Sequence, residues 1–104
     1  YKRQIRHHET VADLMEWAAA EAIPVVAIDN TPGSVPLETA ELPRECVLLF
    51  GQEGPGVTEA AQQASVMTCS IAQFGSTRSI NAGVAAGIAM HAWVRQHADL
   101  SQAW

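Results

Sequence analysis

Three short runs of apolar and β-branched residues constrain this chain more than any other feature: Pro24–Asp29, Cys46–Phe50 and Val66–Ile71. Each is the length of a strand rather than a helix. The first two lack the alternation of a strand wetted on one face, which is the pattern of strands buried on both sides. The first run stops at Asn30-Thr-Pro-Gly33 and the second at Gly51, residues that turn the chain. The segments between the runs are too long for hairpins, so they read as crossovers, and crossovers join parallel strands.

Three further segments read as helices. Thr10 is placed to cap a first helix, with Asp13 three residues on and Val11, Leu14, Met15 and Ala18 along one face. A second helix is expected over Val57 to Ala64 and a long third from about Asn81 to His97, while Asn30 to about Arg44 reads as loop. The order is α-β-loop-β-α-β-loop-α. This is an α/β chain with a mainly parallel sheet flanked by helices, and its ligands are expected beyond the carboxyl ends of the strands.

With 104 residues there is room for one domain, and 48% hydrophobic against 16% charged residues describes a packed globule. The longest apolar stretch, Ala82 to Met90, falls short of the ~18–20 residues of a membrane span. No charged leader precedes an apolar signal region, so the chain reads as soluble and cytoplasmic. Cys46 and Cys69 each lie alone in a strand, without metal-ligand spacing, and are expected as buried thiols in a reducing compartment. His91 and His97 read as structural or solvated, and no metal is required.

A net charge of −5 argues against nucleic-acid binding. However, Lys2, Arg3 and Arg6, three of the six basic residues, crowd beside His7 and His8. They form either a local basic patch or a solvated terminus, which leaves RNA open as a partner. The start at Tyr1 is abrupt for a complete domain, so something is expected upstream.

Two loops carry the chemistry. Phe50-Gly-Gln-Glu-Gly-Pro-Gly56 is not a phosphate loop, because no lysine follows its glycines and Glu53 would repel phosphate. Gly51, Gly54 and Gly56 expose backbone groups beside one carboxylate and a rigid proline, which suits an uncharged or cationic ligand. The plain alternative is a tight strand-to-helix turn with Glu53 at the positive helix end.

The second loop runs from Gly75 through Arg78, Ser79 and Asn81 into a helix of alanines and glycines. Ser79 and Asn81 are either helix caps or site residues. Arg78 offers a fork of donors to a phosphate or to a surface carboxylate. Gly83 and Gly87 each cost ~1 kcal/mol in a helix, so a neighbouring backbone or a second subunit is expected close to them. Trp93 is expected in the core or a dimer interface.

Together, Phe50–Gly56 and Ser79-Ile-Asn81 with its Ala-rich helix resemble motifs two and three of the SpoU/TrmH family within the SPOUT superfamily of methyltransferases. The resemblance is strongest from Val47 to Gln96 and continues back to about Thr10. It implies an α/β domain with a C-terminal trefoil knot and dimerisation through the C-terminal helix region. Residues 1–104 would be the cofactor-binding part of one such domain, with N-terminal strands missing.

The implied activity is S-adenosylmethionine-dependent methylation of a ribose 2′-hydroxyl in tRNA or rRNA. The resemblance implies cofactor binding by Asn30, Gly51, Glu53, Gly56, Ile71, Ile80 and Asn81, much of it through backbone groups. Glu53 would organise its loop, Ser79 and Asn81 would fix the other loop beside the methyl donor and ribose, and Arg78 would meet RNA phosphate. The family's proton-removing arginine lies in motif one, and nothing before Thr10 matches that motif. Ala72-Gln73, Ile80 and Arg78 depart from the usual residues. Two other readings stay open: a binding module without transfer activity, or a plain α/β dimerisation domain.

Overall fold

The computed structural model describes residues 10–51, 57–72 and 82–102. Helix α1 is Val11–Ala20, β1 is Val25–Ile28, β2 is Val35–Pro36 and β3 is Val47–Phe50. Helix α2 is Glu59–Ala64, β4 is Met67–Ser70, α3 is Ala82–His97, and a 3-10 turn follows at Leu100–Gln102.

The first helix begins as its sequence dictates. Thr10 Oγ1 accepts the Asp13 amide at 3.0 Å, satisfying one of the donors a helix start leaves without a partner. At its other end the Ala22 amide donates to Ala19 O at 3.1 Å and the Ile23 amide to Ala18 O at 2.9 Å. That pair of bonds is a Schellman cap, and it holds Ala22 at φ +56, where glycine is the usual residue. The chain therefore turns directly from α1 into β1.

The four strands are all parallel, in the order β2-β4-β1-β3. β1 pairs with β3 from Val25↔Val47 to Ile28↔Phe50, and with β4 from Val26↔Met67 to Ile28↔Cys69. An interior parallel strand has helices or connections over both faces, which is why all of β1 is buried and its sequence shows no polar alternation. Val26 and Ile28 face a core completed by Leu37, Leu42, Cys69, Ile71 and the alanines 85, 89 and 92 of α3. Val25 and Ala27 face the opposite core with Ala18, Leu49, Val57 and Ala61, under α1 and α2.

The segment expected as loop from Asn30 to Arg44 contains β2, whose residues pair with Cys69 and Ser70 of β4. Two residues give no periodicity to read. Pro36 is tolerated because β2 is an edge strand, where a missing amide breaks no interior ladder.

The rest of this connection is fastened by α3. Gln96 accepts the Leu42 amide at 2.7 Å and donates to Ala40 O at 3.0 Å. His97 Nε2 donates to Leu42 O at 2.6 Å. The Trp93 indole donates to Pro43 O and Arg44 O at 3.2 and 2.9 Å. Trp93 also packs against the α3-side core.

Helix α2 starts at Glu59 rather than Val57, because Thr58 caps it by accepting the Ala61 amide at 3.2 Å. At Gly87 an added Cβ would meet nothing within 4 Å among the described residues, so the neighbour expected there is not one of them. Cys69 is buried and Cys46 partly so, and burial pushes both thiols above their ordinary value. Among the described residues no helix is long and apolar enough to cross a membrane.

Replacing Ala22 with glycine removes the Cβ that crowds the left-handed conformation, which outweighs the added freedom of the unfolded chain. Ala22→Gly is expected to raise stability by about 0.5–1 kcal/mol in urea denaturation. A loss of stability would show that the cap does not hold Ala22 in this conformation.

Candidate functional site

Parallel pairing in register brings the carboxyl ends of β1, β3 and β4 to one edge, since Ile28 lies beside both Phe50 and Cys69. The residues that follow these strands are Asp29-Asn30, Gly51 and Ile71-Ala72. The expected cofactor residues Asn30, Gly51 and Ile71 thus meet at one edge, Ile71 buried and the other two partly buried.

β1 is followed by two polar residues that extend its pairing with side chains. The Asp29 amide donates to Cys69 O at 2.9 Å, the last backbone bond between the two strands. The Asn30 side chain then takes over: its Oδ1 accepts the Ile71 amide at 3.0 Å and its Nδ2 donates to Ile71 O at 3.3 Å. A carboxamide carries one acceptor and a donor pair, so it imitates a peptide group and fixes both polar groups of Ile71.

Asp29 reaches the other way. Its Oδ1 accepts the Asn30 amide at 2.9 Å and its Oδ2 accepts the Val57 amide at 3.1 Å. Val57 lies just beyond the Phe50–Gly56 motif, so this carboxylate ties the end of β1 to the point where that motif rejoins the described fold. Glu38 holds a third point, where its Oε2 accepts the Ala72 amide at 3.2 Å. Bonds from ionised carboxylates to main-chain amides are among the stronger ones available to a protein.

Thr31 follows Asn30, and its Oγ1 is buried without a hydrogen-bond partner among the described residues. Buried hydroxyls normally find partners, so this one is suited to bond a ligand. The edge therefore combines main-chain groups and the Thr31 hydroxyl with the negative charge of carboxylates that are themselves bonded to main-chain amides. Such surroundings suit an uncharged or cationic ligand. Among the described residues no group of three or more His, Cys, Asp or Glu is placed to hold a metal ion.

Glu53, Gly56, Arg78, Ser79, Ile80 and Asn81 lie outside the described residues. The sequence reading missed Asp29, Thr31 and Glu38. Asp29 carried a usable signal, since a carboxylate closing a wholly apolar strand at its ligand-facing end has to find donors there. Glu38 carried none, because its partner lies 34 residues away.

Residues 1–91 match the model of the SpoU rRNA Methylase family. Among curated relatives, the tRNA (guanosine(18)-2'-O)-methyltransferase of Escherichia coli K12 is 24% identical over 93 residues, 89% of this chain and 41% of the relative. The chain thus spans about two fifths of that relative's length.

Among solved structures, the SpoU methyltransferase AviRb from Streptomyces viridochromogenes, in complex with the cofactor AdoMet, superposes with a TM-score of 0.73 at 28% identity. The match covers 84% of this chain and 36% of AviRb. A structure addressing 2-OH methylation of C/U34 on tRNA gives a TM-score of 0.74 at 32% identity, over 88% of this chain and 55% of that one.

Proposed function

This chain belongs to the SpoU rRNA Methylase family, and on that premise we propose that it is the cofactor-binding part of an S-adenosylmethionine-dependent RNA ribose 2′-O-methyltransferase acting on tRNA or rRNA. The observation that carries this reading is the convergence of Asn30, Gly51 and Ile71 at one sheet edge, next in the chain to the Thr31 hydroxyl, which has no partner among the described residues. The donor set fits the cofactor, which offers polar edges to main-chain groups and carries a positive sulfonium.

In this reading the main chain at Gly51, Ile71 and Ile80 holds the cofactor, with Gly56 and Asn81 beside it and Thr31 as a side-chain partner. Asn30 contributes through its grip on Ile71. Glu53 organises its own loop, while Ser79 and Asn81 orient the ribose, and Arg78 meets an RNA phosphate. When bound, the cofactor supplies a methyl group activated by its sulfonium. The chain's share of the work is alignment, which in a displacement reaction accounts for much of the rate. No residue of this chain is assigned to take the ribose proton. The reading also includes the trefoil knot around α3, further N-terminal strands, one domain over residues 1–104 and a cytoplasmic setting shared with the RNA.

The same reading includes a homodimer. Val84, Ile88 and Met90 of α3 are 52%, 37% and 55% exposed, and Gly87 opens the surface between them. Apolar residues around a glycine on one helix suit close packing by a second copy. Sedimentation equilibrium is expected to find a dimer that Ile88→Glu converts to monomer, and a monomeric parent protein at micromolar concentration would contradict it.

Calorimetric titration with S-adenosylmethionine tests the cofactor reading. Saturable one-site binding is expected. Thr31→Val keeps the shape of the side chain and removes only the buried hydroxyl, so it is expected to hold or raise stability and weaken binding about three- to tenfold. Absence of binding by the parent chain would contradict the assignment.

A further inference from the structure

Asp29 is a partly buried carboxylate at the centre of the sheet edge, and both of its oxygens are engaged by main-chain amides, those of Asn30 and Val57. The Asn30 bond is local and turns the chain out of β1. The Val57 bond joins residues 28 positions apart and bridges separate elements. It meets the chain where the Phe50–Gly56 motif ends. The motif's other end, at Gly51, is fixed by the pairing of Phe50 with Ile28, the residue before Asp29. Phe50 and Val57, described residues on either side, are therefore referred to Ile28 and Asp29, the last residue of β1 and the one after it.

The cofactor reading needs that motif to present main-chain groups at a set spacing from Ile71. Ile71 is itself held by Asn30, the neighbour of Asp29. Resting on the cofactor reading, we propose that Asp29 is a positioning residue for the methyl donor: through its bond to the Val57 amide it fixes Val57 relative to Ile71, at the spacing that cofactor binding requires. It acts without touching the cofactor. The plain alternative is that Asp29 only steadies the start of α2, and the two roles predict different behaviour.

The test uses the whole chain and three proteins. Asp29→Asn keeps the size of the side chain but puts an NH2 donor where a carboxylate oxygen accepted, so one main-chain amide loses its partner. Ser65→Ala removes the bond from Ser65 Oγ to Ala61 O at 2.7 Å and weakens α2 at its opposite end.

Calorimetry with S-adenosylmethionine is expected to show the parent chain binding, Asp29→Asn binding about tenfold to a hundredfold more weakly while still folded, and Ser65→Ala within about twofold of the parent. Binding by Asp29→Asn within about twofold of the parent overturns the proposal, as does an equal loss in Ser65→Ala. A parent chain that does not bind overturns the cofactor reading and this proposal with it.

Should Asp29→Asn fail to fold, amide exchange in the parent chain decides. Saturating cofactor is expected to slow exchange of the Val57 amide, and unchanged exchange there overturns the proposal.

Discussion

β1 is hydrogen-bonded on both sides, to β3 and to β4, and it is buried along its whole length. A strand in that position has no freedom to shift without breaking two ladders and exposing both cores, so its carboxyl end is firmly fixed. Asp29 and Asn30 stand at that point and pass its rigidity outward. One ties down Val57 and the other Ile71, so the residues flanking both motif-bearing segments are set by a single strand end. A site assembled from main-chain groups depends on such anchoring, because backbone positions rather than side-chain identities decide whether the donors and acceptors converge.

The opposite requirement, a helix that stays where it is, is met by α3. Its buried face is alanine at positions 85, 89 and 92, which carry too little apolar surface to hold a long helix by burial alone. Trp93, Gln96 and His97 compensate by hydrogen-bonding the main chain from Ala40 to Arg44. Those bonds fix the β2–β3 connection at the same time, placing Leu42 in the core with Leu37, each of which stabilises by about 1.5–3 kcal/mol when fully buried. Small residues on the sheet side and polar clamps at the C-terminal end thus substitute for a larger apolar interface.

Much of this was legible in the residues. The three apolar runs gave three parallel strands because their composition and spacing leave little else, and Thr10 announced α1 through its capping chemistry. What stayed hidden depends on partners distant in sequence. β2 is two residues long and exists because β4 lies beside it, and the contact of Glu38 with Ala72 has no local trace. Gly87 signals close approach by a neighbour, and among the described residues no atom fills the space beside it, so the sequence feature does not by itself name what approaches. Of the candidate site, Asn30, Gly51 and Ile71 were readable because parallel strands present their carboxyl ends together. The supporting Asp29 was overlooked because it resembled the end of a strand rather than the start of a site.

The central claim is that the ligand is held at the carboxyl edge of the sheet by groups referred to the end of β1. Amide chemical-shift mapping during titration with S-adenosylmethionine tests it most directly. The account predicts that the largest shifts among the described residues fall at Asn30, Thr31, Gly51, Val57 and Ile71, with Val25, Val47 and Met67 at the opposite edge unmoved. Shifts centred on that opposite edge or on the exposed face of α3 would contradict it.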